Sequence, residues 1–320
     1  MRPLFSSVFA SFLNDFLDYR ERSGIKSIGM DTRFCKRLDD FFIKENITTI
    51  SFTQADSEKW KNRLPNESDT QRYKRINSTK RFFEYLFILG YPVFQLKDVK
   101  SPRSSFIPHI YTDDEIERYF KAVDTYEPTS NKKNRIQLPV LFRILYSCGT
   151  RITETCLIRK KDVDLDQGII RLSETKNAKQ RYIVMSASLL RLMKEYADKI
   201  FFLLSEEDYI FTTRKGTPLS ADWINELHIK ILRKASIPYV GGGHGPRVHD
   251  FRHSFATRAF KQMLDSGMDM YVSLPIVSAY LGHQSIAATE KYLRLTVSMY
   301  PYLEEKFKFT LNQIFGEDEL

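Results

Sequence analysis

The residues in this chain best suited to act on a phosphate are few and widely spaced. Arg151 and Glu154 lie three apart in "GTRITE". On a helix that spacing puts both side chains on one side, so the carboxylate can steer the guanidinium, and the backbone N–H groups of a helix start favour an anion. The plainer alternative is an exposed ion pair of little energetic weight. His249 and Arg252 in "HDFRHSFAT" are again three apart. His249 and His253, four apart, could ligate a metal. However, Asp250 stands where the zinc-protease pattern needs glutamate, and no distant third ligand is evident, so no metal is expected. His253 reads instead as a core or helix-bracing residue. "LGHQSIAATEKYLRL" places His283 nine positions ahead of Tyr292, one of seventeen tyrosines, across a helix-like run. Alone, that spacing signifies only packing.

These residues need elements to position them. "GIIRLSETKNAKQRYIVM" alternates on either side of a polar, lysine-rich turn, a β-hairpin pattern with Lys176 near its tip. A tip lysine is usually solvated, but a strand pair can also carry a proton donor into a DNA groove. "NRIQLPVLFRILYSCGTRITETCLI" predicts an apolar helix, a break at Gly149, and a fresh helix whose first turn holds Arg151, with Glu154 three residues later. In "GPRVHDFRHSFATRAF" a further helix follows the glycines and Pro246, with Phe251 and Phe255 inward and His249 and Arg252 sharing another side.

At 320 residues with 42% hydrophobic content, the chain can bury a substantial core and is expected to form two domains. The formal charge is +9, and residues 1–110 carry 19 Lys and Arg against 13 Asp and Glu, versus 30 against 27 in the remainder. The first third is the more basic part, which suits a polyanion. Cys35, Cys148 and Cys156 are too scattered for a disulfide framework or a zinc site, and a reducing cytoplasmic setting is expected. The opening "MRPLFSSVFASFLNDF" keeps helical period through Asn14 and Asp15 and reads as an amphipathic helix rather than a signal peptide. The terminal "EDEL" lacks the Lys or His of a retention signal, and no stretch approaches a membrane span.

Residues 1–95 read as an all-helical domain. Phe34, Leu38, Phe41 and Phe42 form one stripe, and "SDTQRYKRINSTKRFFEYLFILGY" predicts a helix ending at Gly90. On that helix Phe82, Phe83, Tyr85 and Leu86 supply the apolar side, while Arg72, Lys74, Arg75, Lys80 and Arg81 are candidates for phosphate contact. An ordinary solvated basic face is the competing reading. Residues 96–111, with two prolines and no sustained period, read as a linker. Thr112 and Glu115 form a capping box that opens a second domain over 112–320.

Taken in order, Arg151, Lys176, His249, Arg252, His283 and Tyr292 resemble the catalytic set of the tyrosine recombinases, the lambda-integrase-like or phage integrase family. The stretches carrying the resemblance are "GTRITE", "TKNAKQRYIVM", "HDFRHSFAT" and "LGHQSIAATEKY". Arg294 departs from it, since many relatives have histidine two positions after the tyrosine, and "MYVSLPIVSAYLGH" is similar to transposon-encoded members. The resemblance implies a mainly α fold with a small β-sheet or hairpin in the catalytic domain, preceded by a helical core-binding domain. It implies a site-specific recombinase that cuts and rejoins double-stranded DNA to integrate, excise or transpose a mobile element. Tyr292 would form a 3′-phosphotyrosyl link that conserves the bond energy, so neither ATP nor any other cofactor is implied. Arg151 and Arg252 would clamp the phosphate in place of a metal, Lys176 would protonate the 5′-oxygen, His249 and His283 would hydrogen-bond the phosphate or shuttle protons, and Glu154 would support the network. The helical spacing of Phe307, Leu311 and Ile314 or Phe315 predicts a terminal helix that docks, by the resemblance, onto a neighbouring protomer of a homotetramer on two DNA sites, formed alone or with related recombinases. A type IB topoisomerase-like nicking enzyme, which would relax plasmids lacking any specific site, and an idle DNA-binding accessory protein, which would bind without covalent trapping, are the alternatives.

Overall fold

The computed structural model describes all residues except 1–2, 25–27, 98, 103–106, 129–130, 174–179, 242–244, 283–295 and 297–320. The chain divides into two compact units, Met1–Phe106 and Ile107–Leu320. Among the described residues, helices predominate and the only sheet has three short strands, so the expected fold class is borne out.

The first unit contains α1 (Ala10–Arg22), α2 (Ile28–Lys44), α3 (Gln54–Lys61) and α4 (Asp69–Ile88). Helix α1 begins later than the apolar pattern, because the N–H groups of Ser6 and Ser7 donate to the buried carboxylate of Asp39 on α2 at 2.9–3.2 Å. Residues before Ala10 are thereby pinned by a long-range anion instead of helical bonds. Phe9 stacks on Phe42 and Phe52 on Phe83, with ring centroids 4.2 and 4.1 Å apart, in a core that also holds Leu13, Phe82 and Leu86. Thr53 and Asp56 form a capping box that starts α3, and Ser68 with Gln71 does the same for α4.

In the second unit the Thr112 capping box opens α5 (Asp113–Asp124), and the apolar run folds as α6 (Asn134–Ser147) despite Pro139. After α7 (Ile152–Cys156) come β1 (Val163–Asp164), β2 (Ile169–Leu172) and β3 (Arg181–Val184). β2 and β3 pair antiparallel with Leu172 opposite Arg181, which is the expected hairpin, and β1 adds on the far side of β2. Helices α8 (Ala187–Ile200), α9 (Ala221–Lys234), α10 (Val248–Asp265) and α11 (Met270–Leu281) complete the described unit. One core runs from Tyr111 through Phe142, Ile170 and Ile183 to Phe251, and a smaller one lies between α10 and α11. All three cysteines are free and buried, and burial pushes the Cys35 and Cys156 thiols up to about 12. No described helix is long and apolar enough to cross a membrane.

A buried histidine gives this unit a pH-dependent stability. His228 on α9 lies between two phenols, with Tyr119 Oη 2.7 Å from Nδ1 and Tyr111 Oη 3.3 Å from Nε2. Burial pulls its pKa down to about 3, against the opposing backbone hydrogen bond with Pro246. The unfolded chain protonates near the ordinary 6.5, so between 6.5 and about 3 the unfolded state binds more protons and stability falls as the pH drops. Urea unfolding at pH 5 should therefore show a penalty of about 2 kcal/mol relative to neutral pH, which His228→Gln largely removes. The same pH slope in the variant would count against this origin.

Candidate active site

Gly149 ends the α6 segment with φ +59, the left-handed region. A Cβ at this position would stand 2.9 Å from Phe255 Cγ, with Cδ1 closer still. Gly149→Ala should thus destabilise the protein by about 1–2 kcal/mol from the backbone alone, with a further loss from displacing Phe255. A lowered urea midpoint measures this, and an unchanged midpoint would show that the turn relaxes without strain. The turn delivers Arg151 to the N-cap of α7 in extended conformation, one position earlier than a first-turn placement. Glu154 accepts the Arg151 backbone N–H at 3.0 Å and an Arg151 guanidinium N–H at 2.7 Å. It also receives both ends of the Arg181 fork at 3.0 and 2.7 Å. The Glu154 side chain is only 2% exposed, so this is no surface ion pair. Burial alone would raise its pKa, but the hydrogen bonds and charge of Arg181, with those from Arg151, hold it at about 2. Glu154 stays an anion, and Arg151 stays aimed.

Helix geometry then brings the second arginine in. Arg252 lies 13 residues before the end of α10, and Leu281 lies 11 residues after the start of α11. At about 1.5 Å per residue, a chain that turns back at Gly267 returns Leu281 to the level of Arg252. Arg252 is buried and donates to the Leu281 carbonyl at 2.6 Å and to the Gly149 carbonyl at 2.8 Å. Arg151 Nη2 reaches the adjoining Gly282 carbonyl at 3.5 Å. Two guanidiniums a hundred residues apart thus meet at one corner, which in sequence immediately precedes His283. His249 is exposed one turn before Arg252 on α10, and its ring meets the buried His253 edge-on at 5.0 Å. Asp250, the third residue of α10, is buried and accepts the backbone N–H of the N-cap residue Arg247 at 2.9 Å, and its guanidinium. Among the described residues no group of three or more His, Cys, Asp or Glu could hold a metal.

Lys176, His283 and Tyr292 lie outside the described residues, as does the terminal helix with Phe307, Leu311, Ile314 and Phe315. Arg181 was not among the sequence candidates, although a signal for it exists. It is two residues before the fully buried Ile183 and so shares the inward face of β3, where a cation needs a carboxylate.

The candidate phosphate-contacting residues of the first unit divide three ways. Lys74, Lys80 and Arg81 line a shallow groove of about 380 Å³ together with Tyr73, Asn77 and Met30. Arg72 is half-buried and donates to the Lys61 carbonyl at 2.8 Å, closing the end of α3. Arg75 corrects the sequence reading. It is fully buried, forks onto Glu67 at 2.7 and 2.8 Å, donates to the Trp60 and Asn62 carbonyls and stacks 4.6 Å from the Trp60 ring centroid. Its charge holds the loop between α3 and α4 and is not offered at the surface. Helical spacing alone could not separate it from its neighbours, because Glu67 lies before the helix starts.

The sequence profile of the phage integrase family matches residues 110–299. The chain belongs to this family. The resemblance to tyrosine recombinases read from the motifs is thereby borne out. Among phage integrase relatives, the tyrosine recombinase XerA of Thermococcus kodakarensis is 29% identical over 227 residues, 70% of each chain. XerC of Staphylococcus saprophyticus is 25% identical over 268 residues, covering 82% of this chain and 83% of the relative. A relative from Sinorhizobium fredii is 29% identical over 191 residues, and there the match spans 61% of its length. Of solved structures, the XerH site-specific recombinase bound to difH substrate aligns with 92% of this chain and 82% of its own at TM-score 0.68 and 20% identity. The Tn1549 transposon integrase, in complex with a circular intermediate DNA, aligns with 90% and 95% at TM-score 0.62 and 17% identity. At those identities the likeness is one of fold.

Proposed function

We propose that this chain is a site-specific recombinase that breaks and rejoins double-stranded DNA through a 3′-phosphotyrosyl intermediate on Tyr292, in the service of a mobile element. The observation that carries the reading is the convergence of Arg151 and Arg252 on the Leu281–Gly282 corner. Forked cations fixed from two elements suit the nonbridging oxygens of a phosphodiester, whose charge grows in the pentavalent transition state. The Tyr292 oxygen attacks phosphorus, the bond to the 5′-oxygen breaks, and Lys176 gives that oxygen its proton. A 5′-hydroxyl from the partner duplex reverses the step and releases the tyrosine. His249 and His283 hydrogen-bond the phosphate or move protons, and Glu154 keeps Arg151 in place. The groove of Lys74, Lys80 and Arg81 supplies sequence-independent backbone contact. Assembly is a homotetramer on two sites, joined through the terminal helix.

The test is incubation with a nicked suicide DNA drawn from the flanks of the encoding gene, with and without chelator. A covalent protein–DNA adduct of equal yield in both supports the reading. Loss of the adduct on chelation, restored by magnesium or zinc, counts against the arginine clamp, and binding without any adduct favours an accessory protein. Relaxation of plasmids without a cognate site favours a topoisomerase-like enzyme.

A further inference from the structure

We propose that Arg181 is a positioning residue for strand cleavage, locking the carboxylate of Glu154 so that Glu154 can hold the Arg151 guanidinium at the phosphate. The proposal rests on the recombinase reading and extends it to a residue outside the motif set. Four observations carry it. Arg181 binds Glu154 with both arms of its fork, at 3.0 Å to Oε1 and 2.7 Å to Oε2, while Arg151 takes Oε1 at 2.7 Å and gives its backbone N–H to Oε2. Each carboxylate oxygen therefore serves both arginines, and neither can rotate without breaking a bond to the other. The Arg181 and Glu154 side chains are 11% and 2% exposed, so water cannot replace a lost partner. Arg181 also lies against the corner that both Arg151 and Arg252 reach, since a Cβ on Gly282 would stand 3.3 Å from Arg181 Cδ and Nη1. Finally, Arg181 opens β3 opposite Leu172 and follows Lys176 by five residues in sequence.

The opposite leg is held in the same manner. Arg171 Nε and Ser173 Oγ donate to the buried Asp162 at 3.0 and 2.9 Å. Each leg is thus anchored by a buried carboxylate, but only the Glu154 anchor is shared with a candidate phosphate ligand. Among the described residues, the charged groups that face Glu154 are Arg151 and Arg181. Tyr280, which feels the Arg181 charge, and Cys148 beside Tyr280 are pushed up by burial, Cys148 to about 11 and Tyr280 higher, so both stay protonated at assay pH.

Without Arg181, burial would raise the Glu154 pKa, and a protonated Glu154 would lose its charge-assisted grip on Arg151. Single-turnover cleavage of a nicked suicide DNA, followed from about pH 5 to about pH 9, compares wild type with R181Q, R181K, E154Q and R181Q/E154Q. R181Q should cleave about 10- to 100-fold more slowly with little change in DNA affinity. Its acid limb should lie at higher pH than in wild type, and the double variant should be no slower than the slower single variant. R181K, which keeps the charge but not the fork, should fall between wild type and R181Q. A purely structural role would lower the active fraction and leave the acid limb where it was, and that result overturns the proposal. Multiplying losses in the double variant also overturn it. If R181Q does not fold, a wild-type rate and pH profile in R181K does so instead. An inactive wild type would remove the recombinase reading and this proposal together, whereas an active wild type beside an unaltered R181Q removes this proposal alone.

Discussion

Tyr292→Phe is expected to abolish the covalent adduct with suicide DNA while leaving DNA binding close to wild type. The phenol oxygen would be the atom that becomes esterified, and phenylalanine has none to offer. The loss is therefore total and not a fraction of the rate. A free phenol with a pKa of about 10 is ionised in only about one molecule in a thousand at neutral pH, so its reactivity must come from surrounding cations and proton acceptors. Phenylalanine keeps the ring and its packing, which separates the chemical loss from a folding defect. Denaturing electrophoresis of a labelled strand reads the adduct, and peptide mass spectrometry locates it. An undiminished adduct in the variant, or a nucleotide remnant on another residue, would overturn the assignment of Tyr292.

Arg252→Lys is expected to lower cleavage by about 10²- to 10³-fold, the usual effect of removing a fixed donor from a developing oxyanion. A lysine has one donor point where the guanidinium has a planar fork. The structure adds a second consequence that the motif alone does not indicate. Arg252 is buried and joins the Gly149 carbonyl to the Leu281 carbonyl at 2.8 and 2.6 Å. A single ammonium cannot satisfy both at those positions, so the variant should also lose about 1–2 kcal/mol of stability. DNA affinity and its salt dependence should change little, since on the proposed reading those would come mainly from surface cations such as the exposed Lys74. A variant that cleaves at the wild-type rate would show that the fork is not used on the phosphate, while a large loss of affinity would give Arg252 a binding role.

Much of this arrangement could be read before any coordinates. The capping boxes at Ser68 and Thr112, the break at Gly149 and the antiparallel pairing of the strands that flank the lysine-rich stretch are local, and each occurs as the side-chain chemistry dictates. The capping box at Thr53 is equally local, but the helix it opens, Gln54–Lys61, is too short to show a sustained apolar period. Features made by distant partners were harder to see. Nothing near Arg75 in sequence marks it as buried, since its carboxylate lies eight residues back in a loop. Arg181 carries a faint signal in its strand register, but its partner Glu154 is 27 residues away. Ser6 and Ser7 likewise depend on Asp39, more than thirty residues on, which is why the first helix starts late. Helical period finds faces, whereas the pairing of buried charges is decided by tertiary contact.

Tyr111 sits in the second core, stacks on Phe251 at 4.8 Å, gives its backbone N–H to Ser254 and accepts Arg258 on its carbonyl. A fragment cut at the Thr112 cap would strip away that ring and, on α10, the helix of His249 and Arg252, leave the Arg258 guanidinium without this carbonyl acceptor and the Ser254 hydroxyl oxygen without its donor. Whoever isolates the carboxy-terminal unit for biophysics should therefore begin it at Ile107, keeping the short lead-in that the helical boundary alone would discard.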